Sequence, residues 1–330
     1  MVNIKDVARA AGVSPSTVSR VLGGSVPVAA ETREKVIKVV KELNYQPNAV
    51  AQGLKGGRLK TIGLIIPNVR NLVFPAAVRG IEDTANQHGY TVVLCNADDD
   101  VKKEIFYIEA LKRRLVDGFI FCTARPSHTH IAGLREAGFP VVSLLRHSGS
   151  EVDAVILDNA NGAYEATKYL ISRGLKKIAV LNGWLDLVLY QDRLAGFRRA
   201  MAEAGLPVDE TLVVSGVGGW EDGYRTMDEM LSRGAAPEAV FAMSDPKAFG
   251  VIRAIKDRGL RIPEDISVMG FDDVDFAAMT DPPLTTVAQP FYDMGVVACK
   301  RLLKLIEAKK RPAAKIQVFP ARLVIRRSVI

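Results

Sequence analysis

The chain has 330 residues, more than a single hydrophobic core ordinarily serves, so two or three folding units are expected. With 48% apolar and 25% charged residues it lies in the globular range, which excludes a disordered, collagenous or coiled-coil chain. Residues 1–60 hold ten Lys or Arg against four acids, a net of +6 out of +7 for the whole chain, the pattern of a small module that meets a polyanion and a large one that does not.

No apolar run approaches the roughly 20 residues that span a bilayer, and Asp6 and Arg9 stand where a secretion signal needs apolar residues. The chain is therefore expected to stay in the cytoplasm. Cys95, Cys122 and Cys299 form no CxxC pair and are expected to be reduced and mostly buried.

Ile4, Val7, Ala8 and Ala11 recur at helical spacing and stop at Gly12. Ser14 suits the cap and Pro15 the first turn of a second helix, in which Val18, Val21 and Leu22 mark one apolar face before Gly23 and Gly24. Val36, Val39, Val40 and Leu43 give a third helix, broken over 44–47. The first two helices, joined by a tight turn, form a helix-turn-helix whose second helix offers Ser14, Pro15, Ser16, Thr17 and Arg20 to the major groove. Arg20 has the fork that reads guanine, while Lys5 and Lys55 suit phosphates. The competing reading is a generic three-helix bundle.

A weak helical segment follows at 48–57, with Val50, Ala51 and Leu54 on one side and three glycines spread through it. Alone it is too short and too glycine-rich to hold a helix, so it is either a tether or a switchable linker. IKDVARAAGVSPSTVSRVLGG and then ETREKVIKVVKELNYQPNAVAQGLKGGR resemble the headpiece and hinge of the LacI/GalR family of transcriptional repressors, and the resemblance runs on to PARLVIRRSV at the C-terminus. It implies a headpiece at 1–47, a hinge helix and linker at 48–60 with Asn48, Ala51, Leu54 and Lys55 at the DNA, and a core at 61–330. Leu54 matches the family's minor-groove wedge.

Beyond Lys60, apolar strand runs at 61–67, 90–95, 118–123, 141–145 and 154–157 alternate with helices, and a second series at 177–181, 211–215, 239–243 and 266–270 repeats the pattern. The expected fold is an α/β core of two doubly wound parallel-sheet lobes, preceded by the small all-α domain. The resemblance implies a periplasmic-binding-protein-like core crossed near Asp158, Gln289 and Pro320. The first lobe would hold 61–158 and 290–320, the second 159–289 and 321–330.

Ligands of such sheets bind beyond the carboxyl ends of the strands, which selects Asn68, Asn71 and Phe74, then Arg146, Asp158, Ser244, Asp245 and Asp272, with Arg193 and Trp220 in the connections. Planar polar groups beside an aromatic face suit a sugar or a heterocycle. The resemblance implies effector contacts for Phe74, Arg193, Trp220 and Asp272, and extends to Arg146 and Ser244. Many sugar-responsive relatives have Asn where Ser244 stands and Asp where Leu145 stands, so the effector is left open between a sugar or sugar derivative and a purine or other non-sugar compound. Extra cationic character in the cleft favours a carboxylated or phosphorylated ligand.

No GxGxxG, GxxxxGK[ST], GxSxG or HExxH is present, so no catalytic residue and no cofactor are expected. His128 and His130 beside Cys122 read as an exposed turn and not as a metal site. An enzyme or a solute-binding protein on the same two-lobed fold are the competing classes. The favoured reading is a ligand-responsive DNA-binding regulator, most simply a repressor, acting as a homodimer on a pseudo-palindromic operator. As the sequence stops at Ile330, pairing of dimers through an added C-terminal segment is not expected.

Overall fold

Three short helices form the N-terminal unit of the computed structural model, which describes residues 2–23, 27–45, 59–113, 116–147, 149–310 and 312–330 and divides after Lys60. Asn3 caps α1 (Ile4–Ala11): its side chain accepts from the Lys5 and Asp6 amides, and the Asp6 carboxylate accepts from the Asn3 amide in return. Gly12 ends the helix in the left-handed region at φ 65°, which a side chain would strain. Ser14 Oγ then accepts from the Thr17 amide at 3.1 Å and starts α2 (Pro15–Gly23). With α3 (Ala30–Glu42), these helices bury Val7, Ala8, Ala11, Val18, Val21, Val36 and Val39, a core of short side chains that lets three helices meet closely.

Residues 61–330 alternate strand and helix. The first half runs β1 (Thr61–Ile66), α4 (Phe74–Gln87), β2 (Thr91–Asn96), α5 (Val101–Arg113), β3 (Gly118–Phe121), α6 (Thr129–Glu136), β4 (Val141–Leu144) and β5 (Asp153–Leu157). The second runs α7 (Asn159–Ser172), β6 (Ile178–Leu181), α8 (Val188–Glu203), β7 (Val213–Val214), α9 (Trp220–Ser232), β8 (Ala239–Ala242), α10 (Asp245–Asp257) and β9 (Ser267–Met269). β10 (Thr286–Ala288), α11 (Phe291–Glu307), β11 (Ile316–Phe319) and β12 (Arg322–Val324) complete the chain.

Two all-parallel sheets result, in the orders β11-β5-β4-β3-β1-β2 and β7-β6-β8-β9. Both are covered on two faces, and the central strands β1, β3, β4, β6 and β8 are accordingly buried along almost their whole length. Ile62, Leu64, Ile120 and Val142 point to one apolar layer with α4 and α11, while Ile65, Phe119, Phe121 and Val141 point to another with α5 and α6. In the second sheet Val180 and Phe241 pack toward α7 and α8, and Leu181 and Val240 toward α9 and α10. The antiparallel pair β10 and β12, with Val287 opposite Leu323, and the edge strand β11 have no counterpart among the strands expected from the sequence, because polar residues such as Gln317 and Arg322 interrupt them and leave no apolar run.

Glycines bring helix backbones into contact at three crossings, one of them Gly196 of α8 against the Ala160 carbonyl of α7. A Cβ on Gly80 of α4 would lie 2.2 Å from the Tyr292 carbonyl oxygen of α11, and one on Gly295 would lie 2.2 Å from that of Ala77. Gly250 of α10 faces the Trp220 carbonyl of α9 in the same way, at 2.0 Å. Gly295→Ala should therefore force α4 and α11 apart and lower stability by about 1–3 kcal/mol. Gly133 in α6 has nothing within 4 Å of its added Cβ, so Gly133→Ala should instead raise stability by roughly 0.5–1 kcal/mol. Thermal unfolding of the two variants, expected to shift in opposite directions, checks the crossing.

Candidate functional site

On the N-terminal unit, Lys5, Ser14, Pro15, Ser16 and Arg20 are exposed, and Thr17 is half-buried with Oγ1 2.9 Å from Ser14 Oγ. Ser16 and Arg20 stand one turn apart on α2, while Val18 and Val21 turn inward. Among the described residues no carboxylate forms an ion pair with Lys5 or Arg20, although Arg9 and Lys38 have partners in Asp6 and Glu42. This face is basic and uncommitted. Asn48, Ala51, Leu54 and Lys55 lie outside the described residues.

In the large unit, the carboxyl ends of the strands line a cavity of about 450 Å³. Asn71, Phe74, Arg146, Arg193, Trp220, Ser244 and Asp272 all lie on it, as does Asn68. Asp158 does not: its carboxylate caps α7 by accepting from the Asn161 amide at 3.0 Å, as an acid immediately before a helix is placed to do. Asp245 is also off the cavity. It lies beneath the floor, where it accepts from Thr286 Oγ1 at 2.6 Å and from the Val274 amide at 2.9 Å. Asp99, Trp184, Tyr190, Lys247 and Gln289 line the cavity without having been selected from the sequence. Lys247 had a visible signal, a lysine one turn after Ser244 on an otherwise apolar helix face.

Arg193 is the centre of the arrangement, only 4% exposed. Its Nε donates to Asn159 Oδ1 at 2.9 Å, Nη1 to the Met243 carbonyl and Nη2 to Asp272 Oδ1 at 3.4 Å, and its guanidinium lies 3.6 Å from the centre of the Phe271 ring. Asp272 also accepts from Gln289 Nε2 at 2.6 Å; burial leaves its carboxyl above the ordinary value in spite of Arg193 and Lys247. On the opposite side Arg146 pairs with Asp99 at 2.6 Å, and Arg125 lies 3.3 Å from the same acid. Burial pushes Asp99 up, but the two guanidinium groups outweigh it and hold the acid ionised. Leu145, Asp99 and Asp272, all on the cavity, have φ of 66°, 54° and 126°, backbone that side chains rarely adopt and that directs the neighbouring polar groups inward.

His128 and His130 are not an exposed turn. His128 is 4% exposed, and Glu104 on α5, too distant in sequence to have suggested itself, reaches both rings. His130 Nε2 lies 2.6 Å and His128 Nδ1 3.6 Å from Glu104 Oε1. Burial raises the Glu104 carboxyl, yet the two imidazoles and the Thr123 hydroxyl bring it to about 2. Among the described residues this is the one cluster of ligand types close enough to hold a metal ion.

Residues 59–326 match the family described as periplasmic binding proteins and sugar binding domain of LacI family, and residues 3–48 match the bacterial regulatory proteins, lacI family. The chain is 36% identical over 329 residues to catabolite control protein A of Priestia megaterium, covering 99% of each. It is similar to the structure of the lac repressor dimer bound to operator and the anti-inducer ONPF, with a TM-score of 0.89, 32% identity, and coverage of 99% of this chain and 98% of that one. It is also similar to the complex of the transcriptional regulator CelR with cellobiose, with a TM-score of 0.76, 32% identity, and coverage of 99% of this chain and all of the other.

Beneath the cavity, burial first and the charge of Asp272 second raise Asp245 from 3.8 to about 7. The folded chain thus holds this proton more tightly than the unfolded chain. Its contribution to stability is complete below the unfolded value of 3.8 and is lost as pH rises through the folded value of about 7. Asp245→Asn removes the ionisation and keeps one acceptor for the Val274 amide. Its thermal stability relative to the parent should therefore improve from about pH 4.5 to about pH 8. A constant difference across that range would contradict the assignment.

Proposed function

The chain belongs to the LacI family of bacterial regulatory proteins, and on that premise we propose that it is a transcriptional repressor whose hold on operator DNA is set by a sugar or sugar derivative in the cavity. Its role is regulatory and not enzymatic. The observation that carries the reading is the pairing of two features in one chain. One is a separate basic helical unit with Arg20 exposed and uncommitted, and the other is a cavity of about 450 Å³ built from the strand ends of both sheets.

Arg20 reads a base edge, and Lys5 and Lys55 hold phosphates. One headpiece reads one half-site, so two copies of the chain act on a pseudo-palindromic operator, in the cytoplasm where that DNA lies. For the ligand, Trp184 and Trp220 supply faces for stacking, and Asn71, Asp272 and Gln289 supply groups that pair with hydroxyls. The segment 48–57, with Gly53, Gly56 and Gly57, is the element whose helix is marginal enough for a ligand to decide, and Leu54 enters a central base step when it forms.

Selection of duplexes from a random pool, followed by titration of the winner, tests the reading. Arg20→Ala should weaken operator binding by about 1–3 kcal/mol and relax the preference at one position in each half-site. Lys5→Ala should weaken every duplex alike and reduce the salt slope by about one. Leu54→Ala should lose operator affinity and DNA bending together, with the melting temperature of the DNA-free protein unchanged. Failure to select any duplex, or equal losses for Arg20→Ala on operator and random DNA, would overturn this function.

A further inference from the structure

We propose that the effector carries an anionic group, a phosphate or a carboxylate, and that Lys247 is the residue that receives it. The proposal rests on the regulatory reading of the cavity and narrows its ligand class.

Lys247 is the third residue of α10 and only 1% exposed, yet it lines the cavity. Its Nζ donates to Tyr190 Oη at 3.1 Å and to Ser244 Oγ at 3.0 Å, both hydroxyls. The buried Arg193 and the half-buried Arg146 of the cavity have acids: Arg146 has Asp99 at 2.6 Å and Arg193 has Asp272 at 3.4 Å. Among the described residues no carboxylate stands at ion-pair distance from Lys247. Asp272, whose charge Lys247 feels, is already engaged by Arg193 and Gln289. Arg70 and Glu221 also line the cavity but are exposed, so among the charges withdrawn from water the acids are taken and one ammonium is left over.

Beyond the two hydroxyls the ammonium has only the face of the Tyr190 ring, 4.7 Å from its centre, and neither a dipole nor a ring supplies the full counter-charge that a buried cation requires. The excess is felt by its neighbour. Burial pushes the Tyr190 phenol up, but Lys247 and Arg193 hold it below its ordinary value. Ser244 makes no capping bond to the start of α10 and is instead drawn to Nζ, so the hydroxyl and the ammonium present one polar surface to the cavity. An anionic oxygen seated there would supply the absent counter-charge. The rest of the molecule would lie against the Trp220 ring, which is 52% exposed at the cavity edge, with its hydroxyls toward Asp272 and Gln289. That division of labour describes a sugar phosphate or a sugar acid.

The full chain should be examined by thermal shift and calorimetric titration against matched sets: hexoses, their 6-phosphates, the corresponding uronates and aldonates, inorganic phosphate and free purine bases. At least one charged sugar should raise the melting temperature where its neutral parent does not, and the set it comes from separates phosphate from carboxylate. Lys247→Met, which keeps the length and removes the charge, should lower the affinity for that compound at least tenfold, with Lys247→Gln as the alternative if the first variant folds poorly. The inference is overturned if no charged sugar binds better than its neutral parent, or if both variants bind it as the parent protein does. Operator binding measured on the same samples separates the two readings. A protein that holds its operator and is released by a neutral sugar or a purine keeps its regulatory role and loses only this inference.

Discussion

A guanidinium closed off from water must find its partners inside the protein, and Arg193 finds them on three separate segments. Asn159 at the start of α7, the Met243 carbonyl at the end of β8 and Asp272 beyond β9 all point to one side chain on α8. Removing any one partner leaves a buried charge short of a bond, which ordinarily costs several kcal/mol. The group therefore fixes the carboxyl ends of the second sheet relative to one another. Its face also covers Phe271, so the same residue closes the apolar layer below the cavity. Asp272 takes a left-handed backbone at φ 126° to reach it, and Gln289 reaches it from the connection that leads into α11. Strain at that position persists because the Arg193 and Gln289 side chains, the Val287 carbonyl and the Gln289 amide together over-determine it.

Close backbone contact gives the same region its second constraint. Gly250 and Gly223 bring α10 against α9, so Trp220 at the beginning of one helix and Lys247 at the beginning of the other are held by a crossing that has no room for a Cβ. An aromatic face and a cation on the cavity wall thus keep a fixed spacing. A ligand must fit that spacing. The specificity of the cavity therefore depends on glycines that never touch what it binds.

Most of the fold was legible because period carries it. Short apolar strands between amphipathic helices admit one arrangement, a parallel sheet covered on both faces, and the two series of them appear where the apolar runs stand. β10, β11 and β12 were not legible: β11 and β12 are largely open to solvent and carry Gln317 and Arg322 where an apolar run would continue, and β10 is three residues between Thr285 and the polar Gln289. The cavity was legible in part as a rule about strand ends, which selected Asn71, Phe74, Arg146, Ser244 and Asp272, and in part through the resemblance, which added Arg193 and Trp220 from the connections. It failed for Asp158 because an acid between a strand and a helix suits a ligand or a cap equally, and only the Asn161 amide decides. Lys247 escaped because lysine in a helix reads as surface until the neighbouring faces are known. The histidines misled for the opposite reason: their close spacing suggested a turn, and the acid that buries them, Glu104, stands on another helix.

An effector changes operator affinity only through a difference between its contacts in two arrangements of the chain, so whatever links the two halves without ligand sets the scale it must overcome. One such link is visible at the mouth of the cavity. Arg146, Asp99 and Arg125 form a charged chain in the first half, and Arg125 continues it to Asp186 in the second, beyond β6. Asp186 is more than half exposed, so this last step lies in water and is worth about 1 kcal/mol at most. The buried bonds of Arg193, in contrast, all remain within one half or its connections. Nature's allosteric couplings are commonly about 1–3 kcal/mol, comparable with the exposed step and well below the buried ones. A ligand that bridges the halves would thus find one set of contacts weak enough to exchange and another strong enough to anchor it, which is the asymmetry a closing cleft needs.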